Sequence, residues 1–394
     1  VSDALPLAGI RVIEFVHMVM GPSCGLVLAD LGAEVIKVEP LEGDNTRRLT
    51  GSGAGFFSAF NRNKKSLAID VKDPAGRAAV LKLVATADIV TENFRPGAME
   101  KLGLGDADLR RVKPDLIYVS HKGFLAGPYQ ERTALDEVVQ MMAGLAYMTG
   151  PPGRPLRAGS SVNDIMGGMF GAIGALAALV QRQRDGAGRR IDSALFENCV
   201  LLVAQHMMQF AVTGKPAAPM PARLSAWGIY DVFTSADGTQ LFLGVVTDTQ
   251  WRAFCTVLGR PDWAADERLA TNPQRVAARD WLLPLVAAEL QRRTADQMIE
   301  LATSAGLPWA PITRPEALLD DPHLLASGGL APTRLPDGRE SRVPLLPLAW
   351  EGARLPKRLD PPRIGQHTVD VLRSAGLAAG EIDGLIARGI ARAD

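Results

Sequence analysis

Across residues 1–195 short runs rich in β-branched residues alternate with helical stretches, and nothing else in the chain constrains its fold so tightly. Residues 10–15 (IRVIEF), 35–39 (VIKVE), 66–70 (SLAID), 88–91 (DIVT) and 115–120 (DLIYVS) read as strands. Helices are expected between them at 24–31 and 74–86. The second starts from Asp73 as N-cap with Pro74 at the first helical position, where the missing N–H is not needed. Such alternation argues for an α/β fold, a mainly parallel sheet with helices on both faces. The loop after the first strand reads His17-Met18-Val19-Met20-Gly21-Pro22. It lacks the Gly-x-Gly-x-x-Gly spacing that cradles a dinucleotide, so a nicotinamide or flavin site of that type is not expected.

Two long helices follow at 134–149 and 163–184, and after a turn at 186–189 residues 190–193 lead into another helix ending near 213. The stretch 214–221 (GKPAAPMP) reads as a linker. Beyond it, apolar runs at 230–234 and 240–246 flank Ala236-Asp237-Gly238, a hairpin signal. Helices at 249–258, 277–291 and 295–305 complete a smaller α+β domain. The Pro-rich tail ends in helical patterns at 368–374 and 379–387. The expected organisation is a large domain over 1–195, a linker over 196–224, a small domain over 225–325 and a C-terminal segment over 326–394.

Forty-three Lys plus Arg balance 43 Asp plus Glu. No global field attracts nucleic acid or an anionic membrane, and an anionic ligand must be held by local cations. The five histidines are scattered without metal-ligand spacing, so no metal is expected. Cys24, Cys199 and Cys255 lie far apart and read as buried thiols in a reducing cytoplasm. The apolar run 165–180 is shorter than the roughly 20 residues a bilayer requires and is rich in Gly and Ala. It reads as a helix packed closely inside a soluble protein. Residues 1–6 lack the basic start of a secretory signal.

In open parallel sheets ligands bind beyond the carboxyl ends of the strands. Those ends carry Asn93, Phe94 and Arg95 after DIVT, His121 and Lys122 after DLIYVS, and Lys72 after SLAID, with Lys101 on the helix that follows Asn93. Cations and amides grouped at one edge suit a phosphate-bearing ligand. Asp164 stands immediately before the Gly-rich helix. There it reads either as an ordinary N-cap or as a carboxylate kept ionised at neutral pH by the helix end, as a carboxylate nucleophile requires.

Several ordered segments resemble one family over nearly the whole chain: LAGIRVIEF, GPSCGLVLADLGAEVIKVEP, GDNTR, NRNKKSLAIDVKDPAGR, TENFRPGAMEKLGLG, LIYVSHKGF, SVND followed by GG and GRRIDSAL, and RIGQHTVDVLRSAGL. The chain resembles the class III CoA-transferases of the CaiB/BaiF type. The resemblance implies a Rossmann-like large domain, a small domain, a returning C-terminal segment and an interlocked homodimer. It implies acyl-CoA and a free carboxylic acid as substrates, with no permanently bound cofactor, and places the nucleophile on Asp164. It places CoA contacts on Val19, Met20, Ile69, Lys72, Asn93, Phe94, Arg95, Lys101, Lys122 and Gly123. Backbone N–H groups of the 164–168 turn, or Gly228, are expected to hold the oxyanion. His17, Arg47 and Arg223 are the candidates for a second carboxylate, and succinyl-CoA with a dicarboxylate-like acid is the expected pair.

Departures narrow this further. Pro40 follows IKVE where formyl-CoA transferase has an arginine, and Val19 replaces its glutamine. The related racemases use a His–Asp pair whose imidazole position is Leu135 here, next to Asp136. One of two bases is thereby missing, which favours transfer over racemisation. A non-catalytic CoA-binding subunit is the third expectation from this fold.

Overall fold

The computed structural model describes residues 5–223 and 225–394. Residues 1–4, part of the segment read as lacking a signal, and Leu224, in the expected linker, lie outside the described residues. The strands of the large unit are β1 (Arg11–Phe15), β2 (Glu34–Glu39), β3 (Lys64–Ile69), β4 (Ile89–Glu92), β5 (Ile117–Lys122) and β6 (Arg190–Ala194). Its helices are α1 (Met20–Asp30), α2 (Phe56–Phe60), α3 (Pro74–Val84), α4 (Ala98–Lys101), α5 (Asp106–Val112), α6 (Asp136–Met142), α7 (Leu145–Thr149), α8 (Val162–Asp185) and α9 (Leu195–Thr213).

The sheet runs β3-β2-β1-β4-β5-β6, all parallel, and the two-residue strand Ala391–Arg392 adds antiparallel to the outer edge of β3. One face buries α3 and the helices Thr368–Ser374 and Ala379–Ala387 through residues such as Val80, Leu83, Leu372 and Leu385. The other buries α1 and α8 through Cys24, Leu28, Ala172 and Ala175. The expected α/β architecture is therefore the observed one. As read from the sequence, Asp73 caps α3, its carboxylate accepting from Ala75 N and Gly76 N.

Two local expectations are corrected. Residues 190–193 do not lead directly into a helix but form β6, whose RIDSA sequence carries charges at the exposed sheet edge and hides its strand character. The helix expected over 134–149 is two, because Gly144 adopts φ +86° between α6 and α7, a conformation that ends the first helix.

The chain forms two compact units: the first runs to Pro221 and resumes from Pro322 to Asp394, and the second is Ala222–Asp321. The second unit has a three-stranded antiparallel sheet, Ile229–Thr234 with Gln240–Val245 and then Trp309–Pro311. Helices Asp248–Leu258, Arg279–Leu290 and Ala295–Ser304 pack on it around Trp251, Phe254, Leu282 and Val286.

Candidate active site

The strand order turns back between β1 and β4, and at such a reversal the loops leaving adjacent strands diverge and open a crevice. Asn93, just past β4, ties the two loops together. Its Oδ1 accepts from His17 N at 3.0 Å and its Nδ2 donates to His17 O at 2.8 Å. Buried Lys37 donates to Val16 O at 2.6 Å and pairs with Asp44 at 2.9 Å, fixing the same loop from below. Met18 N donates to Thr46 Oγ1, and Met18 is held at φ +61°, a conformation a side chain adopts only when its surroundings impose it.

Helix α8 crosses this crevice at very short range because glycines line its inner face. A Cβ on Gly168 would collide with the Met20 carbonyl oxygen and lie 2.9 Å from Cys24 N, both in α1; one on Gly171 would strike the His121 ring. That close approach brings the first turn of α8, with Asp164, against the loop after β1. The close packing read at 165–180 is borne out on one face of the helix, while the other leaves Met169, Phe170 and Ile173 exposed. By length and composition α8 and α9 would each suffice to cross a membrane; α8 spends its Gly/Ala face on the core.

Asp164 does not precede the helix, as the sequence reading had it, but is its third residue; the N-cap is Ser161. The capping carboxylate comes instead from α6. Asp136, 7% exposed, accepts through Oδ2 from Asn163 N at 2.9 Å and Asp164 N at 3.1 Å. Its Oδ1 accepts from Gln140 Nε2, and Arg157 Nη2 lies 3.5 Å away. The expectation of a carboxylate ionised at neutral pH by the helix end is also corrected. Burial, and after it the negative charge of Asp136, push the Asp164 carboxyl up to about 7, against a smaller downward pull from Arg157. The helix end is already neutralised by Asp136, so its field is spent before it reaches Asp164.

The oxyanion expectation is corrected for the same reason. Asn163 N and Asp164 N are bonded to Asp136, and Ile165 N donates to Ser161 O at 3.0 Å. Gly228 N donates to Asn272 Oδ1 at 3.1 Å.

Asp164 opens on a cleft of about 340 Å³. Of the residues expected at the site, His17, Met20, Asn93, Phe94, Arg95, Lys122 and Gly123 line it with Asp164. His17 stacks on Phe94, ring centroids 5.7 Å apart. Arg95 is exposed at the mouth and makes no side-chain ion pair among the described residues. The Lys122 ammonium is committed: it donates to both Glu92 oxygens at 2.7 and 3.0 Å and to Phe94 O at 2.7 Å. Buried His121 has Nε2 3.0 Å from Thr91 Oγ1, and burial lowers its pKa to about 3, so it stays neutral.

The other expected positions do not line this cleft. Val19 is buried at the N-cap of α1. Ile69 packs its side chain in the core and pairs with Ala391, while Lys72 and Lys101 are exposed outside the cleft. Arg47 does not offer a free guanidinium for a substrate carboxylate. It pairs with Glu39 at 2.7 Å, donates to Pro362 O at 2.8 Å and lies 3.7 Å over the Phe57 ring. Arg223 belongs to the second unit. Sequence reasoning missed Arg132 and Arg157, which line the cleft, and the capping role of Asp136. Only the alternation DEVVQ, with an acidic residue opening an apolar helix, hinted at the last.

Comparison with known proteins gives the family of the chain. Residues 7–368 match the model of CoA-transferase family III. The chain belongs to that family. A CaiB/BaiF family protein from Brucella suis superposes with a TM-score of 0.85 at 34% identity, covering 95% of this chain and all of that one. A succinate–glutarate CoA-transferase of Agrobacterium fabrum is 35% identical, covering 93% of this chain and 95% of its own. A succinyl-CoA–D-citramalate CoA-transferase of Chloroflexus aurantiacus is 34% identical over 93% of each. This family III CoA-transferase is thus an enzyme that acts on CoA thioesters.

Proposed function

We propose that the enzyme moves CoA from succinyl-CoA to a free dicarboxylate-like acid, such as glutarate, malate or 3-sulfinopropionate, with Asp164 as covalent nucleophile. The observation that carries this is the Asp164 carboxylate in the first turn of a glycine-packed helix, half-buried and facing a cleft at the sheet's reversal point. The named activities of the similar proteins supply the substrate class.

An Asp164 carboxylate oxygen attacks the thioester carbonyl, the C–S bond breaks, and a mixed anhydride and CoA thiolate form. The thiolate then attacks the aspartyl carbonyl and displaces the donor acid, leaving an aspartyl-CoA thioester. The acceptor carboxylate attacks that thioester and expels the thiolate, giving an acceptor–aspartyl anhydride. Thiolate attack on its acceptor carbonyl releases the new acyl-CoA and restores Asp164. No proton is consumed, so positioning and exclusion of water must supply the rate. CoA binding along Met20, Asn93 to Arg95 and Gly123 holds the thioester against Asp164 from a distance.

Incubation with succinyl-CoA, trapping with hydroxylamine or borohydride and peptide mass analysis will place the modification on Asp164. Asp164→Asn is expected to lose transfer by at least roughly a thousandfold, as for other removed nucleophiles. Label at another residue would refute the assignment.

The same proposal includes a homodimer in the cytoplasm. Leu201, Met208, Phe210 and Val212 on α9, and Met169, Phe170 and Ile173 on α8, leave apolar side chains exposed on one chain. In the proposed dimer a second copy covers these faces, as exposed apolar patches of this kind require a partner; the three cysteines are free thiols, in keeping with a reducing compartment. Sedimentation equilibrium is expected to give twice the chain mass, and Leu201→Asp with Phe210→Asp to shift it toward one.

A further inference from the structure

Building on the transfer reaction proposed above, we infer that Arg157 is the residue that selects dicarboxylic acids, pairing with the carboxylate that does not react. The cleft places four cationic side chains near Asp164, namely Arg95, Lys122, Arg132 and Arg157. Lys122 has its ammonium filled by Glu92 and the Phe94 carbonyl. Arg95 leaves from the end of β4 among the residues expected to meet CoA, and Arg132 lies 5.0 Å over the Tyr129 ring in an exposed loop.

Arg157 differs from all three. Nε donates to Ala158 O at 3.1 Å, which anchors the base of the guanidinium. Its outer nitrogens reach the Asp136 and Glu137 carboxylates only at 3.5 and 3.7 Å, beyond hydrogen-bonding range, and make no hydrogen bond among the described residues. The group is therefore anchored at Nε in the cleft lining and held at its outer nitrogens only by longer ion pairs, which leaves those N–H groups able to take a further carboxylate. A carboxylate presented to it gains two parallel N–H bonds, which a long-range pairing to Asp136 does not provide. Arg157 and Asp164 line the same cleft, so one bound acid can present a carboxylate to each.

The test compares acceptors of equal length, glutarate against valerate, with succinyl-CoA as donor. In a ping-pong sequence kcat/KM for the acceptor belongs to the aspartyl-CoA form alone, so the donor's own second carboxylate drops out. Any effect of Arg157 on Asp164 ionisation touches both acids alike and cancels in their ratio. Arg157→Gln is expected to lower the glutarate-to-valerate ratio by roughly tenfold or more, the worth of a charged hydrogen bond. Arg157→Lys, which keeps the charge but not the paired N–H fork, should recover only part of it. A ratio unchanged in Arg157→Gln, an equal loss for both acids, or a collapse of the ratio in Arg132→Gln instead would overturn the assignment. Failure of the wild type to transfer at all, with no label on Asp164, would overturn the proposed function itself.

Discussion

In the proposed mechanism Asp164 attacks as an anion, and a carboxyl with a pKa of about 7 in that role would make the reaction sensitive to pH in a definite direction. Asp164 is held there by burial first and by Asp136 second. The ionised fraction grows as pH rises, so kcat/KM is expected to climb through pH about 7 and level off above it. Asp136→Asn removes the neighbouring charge while keeping an oxygen to receive Asn163 N and Asp164 N. Its rising limb should move to lower pH in a profile of log kcat/KM, whereas a merely structural loss would lower the curve without moving it. The sign for stability is opposite. Between the unfolded carboxyl value near 3.8 and about 7 the folded state keeps a proton the unfolded state has lost, so this group costs stability as pH rises across that window. Asp164→Asn should be more stable than wild type at pH 8, by about 1–3 kcal/mol, and should converge with it near pH 4. At this scale Asp164 was legible because a family likeness pointed to it. Its protonation was not, because burial, the larger cause, and the Asp136 charge, 28 positions away on another helix, both arise only from tertiary packing.

Helix α8 owes its position to the absence of side chains. Gly168→Ala would place a methyl against backbone atoms of α1 that cannot move aside cheaply. It is expected to destabilise by about 1–2 kcal/mol in denaturant titration, even after the roughly 1 kcal/mol that alanine gains over glycine within a helix. Gly380, in helix Ala379–Ala387, has nothing within 4 Å of its would-be Cβ. There the same substitution should stabilise by about 1 kcal/mol. The Gly-Gly-x-x-Gly pattern announced close packing correctly, because only small residues permit it. β6 escaped notice because RIDSA is short and charged at a sheet edge, where one face needs no apolar residues. The break between α6 and α7 escaped for a different reason: a glycine inside a helical pattern ends it only where φ turns positive, and spacing does not report φ.

For the molecule as a whole, alternating strands and helices sufficed to give the layers and the parallel sheet, since burying both faces leaves few other arrangements. What no local pattern encodes is which distant segments share a surface: Arg47 looked available until Glu39, Phe57 and Pro362 were seen to enclose it. The second unit, Ala222–Asp321, has a continuous chain, its own sheet and its own core. Expressed alone, residues 222–321 should unfold in one cooperative thermal transition; a broad, featureless melt would show that the core depends on the rest.

The first unit has no such independence. Ala391–Arg392 lies along the open edge of β3, and Asp70 N donates to Ile390 O at 2.8 Å, so the rim of the sheet is sealed by residues translated after the whole second unit. During synthesis the β3 border therefore stands bare, a template for stray strand pairing, until the ribosome delivers its cover. Deleting residues 389–394 would leave that border bare permanently, and the harm would be clumping in the cell even though Asp164 and the cleft around it stay untouched.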